Sequence, residues 1–440
     1  MVNIRDLVDV ANGTQSRKIF GDQEIYQLEL ERIFARCWLF LTHESLIPKF
    51  GDFVVTKMGE DEVIVWRQRD GSIKVFLNQC RHRGMRLCMA EAGNARGLSC
   101  AYHGWAYGVE GRAESVPCEK EAYPPGFDRS KWGLREIPKV ESYRGFIFGC
   151  MDAAAPSLKD YLGDAAWYMD IWADIPGGIE LVGPPSRSIV HANWKSPAEN
   201  FIGDTYHVGW THASVLAAAL GAPVPQSAFG GEDSGFQATT RYGHGLGVGT
   251  KFYGPVMLVQ TCPEIVDILQ ARQAEMEARR GPKVSRLLTA IWDAGVFPNC
   301  SYLIGANVFK VWHPLGPDKI EIMTWPIVEK NMSGDLKRRI AIAAHRIFGT
   351  AGMLESDDID NFEYATRPNR GFVTRQGRLN CQMGLGGERE DPDFPGVVGD
   401  YINELGQRGF YRAYAEFLSA DSWRELEANT ANWKQTMLPK

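Results

Sequence analysis

Two short Cys–His pairs constrain this chain more than any other feature. Cys80-Arg-His82 is followed, after seventeen residues, by Cys100-Ala-Tyr-His103. Two thiolates and two imidazoles carried on facing loops can hold a pair of irons, the thiolates on one and the imidazoles on the other. Such loops need a tight backbone, and Gly84 after the first pair and Gly104 after the second supply it. Trp105, directly after Gly104, adds an aromatic wall.

Each pair mixes one Cys with one His, as loops that each serve two different irons require. The reading is a [2Fe–2S] cluster of the Rieske type, in which neutral nitrogen ligands raise the reduction potential and suit a one-electron relay. The same four donors also suit tetrahedral Zn²⁺. A zinc-stabilised binding protein without redox chemistry is therefore the competing class, although zinc fingers place both Cys in one pair and both His in the other.

At 440 residues the chain can bury a large core and is expected to hold two domains. Apolar residues at 44% and charged residues at 23% exclude disorder on a large scale. A net charge of −6 without a long basic stretch argues against nucleic acid as the main partner. No run approaches the roughly 18 apolar residues of a membrane span. The first residues lack the apolar core of a signal peptide, so the expected location is cytoplasmic. Seven cysteines remain outside the pairs: Cys37, Cys88, Cys118, Cys150, Cys262, Cys300 and Cys381. In a reducing compartment they read as small buried hydrophobes.

From 38 to 151 the texture is β-rich, with strand-like runs at 51–56, 63–67, 73–77 and 145–149 separated by Gly, Asp and Asn. After Tyr161 it changes. Segments 189–194 and 302–312 alternate like strands, whereas 336–348 and 409–433 carry helical periodicity. The expected fold class is α+β: an inserted all-β Rieske [2Fe–2S] domain at 38–157 and a larger catalytic domain at 1–37 and 158–440, with an antiparallel sheet flanked by helices. Gly/Ala/Pro-rich stretches at 217–236 and 384–399 read as lids, binding loops or plain connections.

A second metal site is suggested by 200–212, where Asn200, Asp204, His207 and His212 interrupt an apolar neighbourhood. On a straight helix two histidines five apart sit about 140° apart, so a shared ion needs a local distortion, for which Gly209 is the natural place. Asp204 and His207, three apart, share a helix face, so Asp204 can orient His207. For a third donor, a helix at 351–365 puts Ala351, Leu354, Phe362 and Ala365 on one apolar face with Asp358 in its middle. Asp357, Asp360 and Glu363 fall outside it as a solvated acidic face. A carboxylate aimed into a core must be paired, protonated or metal-bound. Two His and one carboxylate make the facial triad of a non-haem Fe(II) oxygenase.

With both sites in place the chain resembles the large (α) subunit of Rieske non-haem iron ring-hydroxylating dioxygenases, most closely the naphthalene dioxygenase group. The blocks that carry the resemblance are 34–43, 78–84, 192–195, 198–212, 309–312, 355–358 and 409–414, spread over nearly the whole length. It implies Cys80, His82, Cys100 and His103 as cluster ligands and His207, His212 and Asp358 as ligands of a mononuclear Fe(II). It implies that Asp204 bridges the two sites across a subunit boundary and that Asn200 lies close to the iron. Family members are α3β3 or α3 assemblies in which one subunit's cluster lies near its neighbour's iron.

Electrons then come from NAD(P)H through a reductase and a ferredoxin. O₂ and an aromatic hydrocarbon, naphthalene or larger, are the substrates, and a cis-dihydrodiol is the product. Positions matching the family's substrate pocket are Phe201, Thr205, Val208, Leu216, Ile291, Asp293, Leu303, Ala306, Phe348 and Leu354. Naphthalene-type members usually carry Trp where this chain has Leu354, and 217–265 also departs from them. Less bulk at Leu354 points to arenes of two or more rings. Within enzymes the rival is a Rieske monooxygenase acting on a substituted arene such as a salicylate, whose carboxylate would find no Arg or Lys in the matched pocket. A pure electron carrier would account for the first domain only.

Overall fold

Runs of β-branched and aromatic residues punctuated by Gly and Asp become short antiparallel strands in the unit Phe34–Leu158. These are β1 (Leu39–His43), β2 (Asp52–Met58), β3 (Asp61–Arg67), β4 (Ile73–Leu77) and β5 (Ala92–Asn94). β6 (Gly97–Ser99), β7 (Ala106–Gly108), β8 (Ala113–Ser115), β9 (Lys139–Tyr143) and β10 (Phe146–Cys150) follow. They pair as three sheets, β4-β3-β2-β5, β8-β7-β6 and β9-β10-β1. Phe53, Ile64, Trp66, Phe76 and Tyr107 form a core into which the Cys80 and Cys100 side chains pack. This computed structural model describes residues 4–231, 233–251 and 254–439.

The other unit, Met1–Ile33 with Lys159–Lys440, is built on a nine-stranded antiparallel sheet, with a small three-stranded sheet of Val8–Asp9, Thr14–Ser16 and Arg378–Asn380 besides. Its elements are β11 (Ile179–Leu181), β12 (Ser186–Val190), α1 (Lys195–Asn200), α2 (Val208–Thr211), α3 (Ala213–Leu220), β13 (Gly235–Thr239) and β14 (Gly245–Gly249). They continue with β15 (Ile291–Val296), β16 (Cys300–Ile304), β17 (Val308–Pro314), β18 (Ile320–Glu329), α4 (Gly334–Phe348), α5 (Met353–Thr366), β19 (Val397–Asp400) and α6 (Leu405–Ser419). The nine strands run β11-β18-β17-β16-β15-β14-β13-β19, with β12 also pairing β18.

Every residue of β17 is buried, and all of β18 but its last residue. Both faces of these two strands are therefore covered, and Lys310, His313, Glu321 and Thr324 are buried among their apolar residues. α4 packs against β18 through a stripe of Leu336, Ile340, Ala343, Ala344 and Ile347. Its start is set by Ser333, whose hydroxyl accepts from the Leu336 N–H at 3.2 Å. Among the described residues no helix is long and apolar enough to cross a membrane.

Several local expectations are corrected. The single strand expected at 302–312 is two, β16 and β17, because the chain reverses at 305–307, where Asn307 takes φ 54° and Leu303 pairs with Val308. The strand expected at 189–194 stops at Val190. There the Asn193 carboxamide accepts from the Lys195 N–H at 3.0 Å and turns the chain into α1. The helical stretch expected at 409–433 is interrupted after Ser419 and restarts with Ser422 capping Trp423–Asn429. Cys118 is exposed, whereas the other six cysteines outside the pairs are buried.

A buried polar network anchors α1. The Glu29 carboxylate accepts from Trp194 Nε1 at 2.7 Å, Lys195 Nζ at 2.6 Å and the Tyr414 hydroxyl at 2.6 Å. One turn further, Glu199 accepts from the Tyr411 hydroxyl. Burial pushes Glu199 from its ordinary 4.5 up to about 8, with Asp204 and Glu404 adding to the rise against Tyr411 and Lys195. Between those two values the folded chain holds a proton that the unfolded chain has released, so this group makes stability fall as pH rises. Glu199→Gln should flatten that decline, removing up to roughly 1.4 kcal/mol per pH unit across the window. Urea unfolding at pH 5 and pH 8 measures it; parallel declines in both proteins would contradict the assignment.

Candidate metal centres and active-site cavity

In the Phe34–Leu158 unit the two Cys–His loops share one construction. Cys80 N–H donates to Met85 O at 2.8 Å and Cys80 O accepts from Gly84 N–H at 3.0 Å. Cys100 N–H donates to Trp105 O at 2.8 Å and Cys100 O accepts from Gly104 N–H at 2.9 Å. Closing each loop requires a left-handed residue four places after the Cys; Gly84 has φ 76° and Gly104 φ 73°. Both cysteines are buried, His82 is half-buried and His103 is exposed. The two imidazoles lie 4.5 Å apart between ring centroids.

The donor set fits a mixed-ligand cluster. His82 Nδ1 is buried without a hydrogen-bond partner. Burial and the neighbouring His103 hold its pKa below the ordinary histidine value, which favours the neutral form that a ligand needs. Trp105 stacks on the His82 ring at 5.2 Å with an interplanar angle of 1°, fixing its orientation. Tyr107 was missed by sequence reasoning. Its hydroxyl accepts from Arg81 N–H at 3.0 Å and lies 3.3 Å from Cys80 Sγ, so its own proton is directed at the sulfur. A hydrogen bond to a ligating thiolate tunes a cluster upward in potential. The aromatic residue four after His103 was the available signal.

In the second unit three donors converge. His207 Nε2 lies 3.5 Å and His212 Nε2 3.2 Å from Asp358 Oδ1. One donor atom from each residue falls within 4.8 Å of the other two. The far side of each ring is held: His207 Nδ1 lies 2.5 Å from Asp204 O, and His212 Nδ1 3.2 Å from Asp357 Oδ2. Protons on Nδ1 turn the Nε2 lone pairs inward. Asp358 Oδ1 has no hydrogen-bond partner although both rings approach it.

Charge points the same way. Burial disfavours an ionised Asp358, yet His207 and His212 bring it down to about 2. Burial likewise opposes a proton on His207, but Asp204 and Asp358 lift it well above the ordinary range. The site is short of positive charge, which a divalent cation bound by two imidazoles and one carboxylate supplies.

The local backbone differs from the expected distorted helix. Residues 201–207 form a turn, and the break between α2 and α3 falls at His212 (φ −97°, ψ 16°), with Gly209 inside α2. Asp204 thus reaches His207 from a turn, with its carboxylate 3.4 Å from Nδ1, and not from a shared helix face. Asn200 Nδ2 sits 3.3 Å from the same nitrogen.

On α5 the buried stripe is Glu355, Asp358, Phe362 and Thr366, while Ala351 and Ala365 are exposed. Glu355 is paired with the fully buried Lys310 of β17. Asp357, expected on a solvated face, instead orients His212. Asp360 is exposed, and Glu363 accepts from His191 N–H at 2.9 Å.

The triad opens into a cavity of about 270 Å³. Phe201, Thr205, Val208, Leu216, Ile291, Asp293, Leu303, Ala306, Phe348 and Leu354 all line it, together with Asn200. Sequence reasoning missed Val224 and Phe229, which the loop after α3 contributes, and Met257, Ile347 and Tyr401. No Arg or Lys is among its lining residues. A larger cleft of about 650 Å³ lies elsewhere, lined by Lys283, Arg286, Arg389 and several aspartates, and holds no triad.

A cluster-binding domain followed by a catalytic domain with a two-His-one-carboxylate site defines an oxygenase of two metal centres. Residues 37–143 match the Rieske [2Fe–2S] domain and residues 158–420 the ring hydroxylating alpha subunit catalytic domain. The chain is 48% identical to the large oxygenase component of the naphthalene 1,2-dioxygenase system of Pseudomonas aeruginosa, over 98% of this chain and 97% of that protein. It is 47% identical to the large oxygenase component of the 2,4-dinitrotoluene dioxygenase system of Burkholderia sp., over 98% and 97%. A solved naphthalene 1,2-dioxygenase with indole bound in its active site superposes with a TM-score of 0.93 at 46% identity, covering 99% of both chains. The chain belongs to the ring-hydroxylating dioxygenases, as their α or large oxygenase subunit. Its cofactors are accordingly a Rieske [2Fe–2S] cluster and a mononuclear iron.

Proposed function

We propose that this subunit cis-dihydroxylates aromatic hydrocarbons, naphthalene or larger, to cis-dihydrodiols. The observation that carries the substrate class is a largely apolar cavity opening onto the triad with no Arg or Lys among the described residues of its wall. Cys80, His82, Cys100 and His103 hold the cluster; His207, His212 and Asp358 hold the iron. When bound, the cluster supplies electrons one at a time and the iron supplies O₂ activation.

The chain's own part is placement and protection. Phe201, Val208, Leu303 and Phe348 remove the arene from water and hold it flat beside the triad. Asp204 and Asp357 keep the His207 and His212 rings aimed inward. Asp204, half-buried on the turn before His207, is also the residue through which the neighbouring subunit's cluster is coupled to this site. A reductase and a ferredoxin deliver electrons from NAD(P)H, and a small β subunit completes an α3β3 assembly in the cytoplasm.

The test is product analysis with reductase, ferredoxin, NADH and isotopically labelled O₂. Naphthalene should give a dihydrodiol with label in both hydroxyls. A phenol with a single label, or turnover of salicylate but not of naphthalene, would establish the monooxygenase reading instead. Leu354 sets ring size: Leu354→Trp fills the cavity and should lower the kcat/KM ratio of phenanthrene over naphthalene by roughly tenfold or more. An unchanged ratio would remove Leu354 from that role.

A further inference from the structure

A buried cation stands behind the wall of the active-site cavity. Lys310 lies on β17 with no accessible surface, and its neighbours on β16 and β18 are the neutral Ser301 and Thr324. Its counter-charge is Glu355 of α5, also buried. Three aromatic rings stand around the ammonium. Nζ lies 5.3 Å from the ring centroid of Phe201, 5.6 Å from that of Trp312 and 5.2 Å from that of Phe348. Phe201, just after α1, and Phe348, the last residue of α4, line the cavity, whereas Lys310, Glu355 and Trp312 do not. The two phenyl rings thus separate the charge from the space an arene would fill. An ion pair this deep adds little stability that a well-packed apolar pair of similar volume would not give. What an apolar pair cannot do is place a charge behind the wall.

We propose that Lys310 is a positioning residue for the substrate: acting through Phe201 and Phe348, its charge makes the cavity prefer an electron-rich arene over an electron-poor one of similar shape. The inference rests on the reading that an arene occupies this cavity. A cation within about 6 Å of a ring centroid is attracted by the ring's quadrupole and draws π density toward itself. The density drawn toward Nζ leaves the parts of Phe201 and Phe348 that meet the cavity poorer in electrons. Such a wall attracts the negative face of an electron-rich arene, in stacked and edge-to-face contacts alike. Glu355 makes the pair neutral as a whole, but its positive end is the one set against the rings. The preference is for ring electronics and needs no hydrogen bond to the substrate.

Naphthalene and octafluoronaphthalene separate electronics from shape, because full fluorination reverses the sign of the ring quadrupole. Their dissociation constants are measured by equilibrium dialysis on the holoenzyme, without O₂ or reductase, so that no turnover enters. Lys310→Met combined with Glu355→Leu should shift the ratio of the two constants by about threefold or more toward octafluoronaphthalene. A merely structural role would weaken both ligands together and leave the ratio where it was. A shift smaller than about threefold, or one toward naphthalene, overturns the proposal. If that variant fails to fold, Lys310→Gln combined with Glu355→Gln, which keeps a hydrogen-bonding pair without charge, decides by the same limits. A parent that binds octafluoronaphthalene more tightly than naphthalene also overturns it, whatever the variants do. A parent that binds neither ring defeats instead the reading that an arene occupies the cavity.

Discussion

Asp358→Ala should remove the mononuclear iron, leave the cluster's visible and EPR spectra in place, and lower dihydrodiol formation by roughly a thousandfold or more. The reason is geometric. Asp358 is the anionic member of three donors whose atoms lie within 4.8 Å of one another, and both imidazoles point at its Oδ1. Without it two neutral nitrogens remain, too few to hold a divalent cation against water. Asp357→Asn should do much less, on the order of 10–100-fold, because it only orients His212. Iron and acid-labile sulfide analysis beside product assay checks both. An Asp358→Ala protein with a full complement of iron would show that the metal sits elsewhere.

Glu29→Ala should destabilise the fold by roughly 3–5 kcal/mol, the cost of breaking a buried ion pair from one side. Lys195 is fully buried, and its ammonium would lose Glu29 with no water to replace it. Burial already pulls the Lys195 pKa below its ordinary value, and Glu29 is the main group that opposes this. The Trp194 indole and the Tyr414 hydroxyl would lose their acceptor at the same time. Because α1 ends at Asn200, 3.3 Å from His207 Nδ1, the damage should reach the iron site as well. Urea unfolding followed by circular dichroism measures it. Lys195→Met combined with Glu29→Leu should recover much of the loss, since an apolar pair of similar volume needs no solvation. If Glu29→Ala unfolded at the parent's midpoint, the network would have no structural weight.

The four residues proposed as cluster ligands stood out in the local sequence because the chemistry demands local spacing. Each Cys–His pair must sit on one loop, and a glycine in the left-handed region must close that loop. His207 and His212 were legible for a related reason, since two imidazoles within six residues are rare in a chain with nine histidines. Asp358 was found from a helical projection that was partly wrong. Two of the four apolar residues in that face, Ala351 and Ala365, are exposed, but Asp358 lay at its centre and proved buried.

What local patterning could not express was decided by distant parts of the chain. Asp357 reads as a solvated acid until His212, 145 residues away, is brought against it. Nothing around Glu355 in the sequence announces its partner, the fully buried Lys310 of β17. The run at 302–312 has strand character throughout, and only the pairing of β16 with β17 selects 305–307 as the turn. Asp293 is set in the cavity wall by β15, where burial holds its carboxyl well above the ordinary aspartate pKa although the Gly203 N–H donates to it. The sequence by itself determined the metal chemistry and the division into a β-rich cluster domain and a mixed catalytic domain, because ligand spacing and hydrophobic period are properties of short segments. The tertiary structure alone decided which carboxylates are paired, ionised or kept neutral, because charge state depends on burial and on neighbours that the chain supplies from far away.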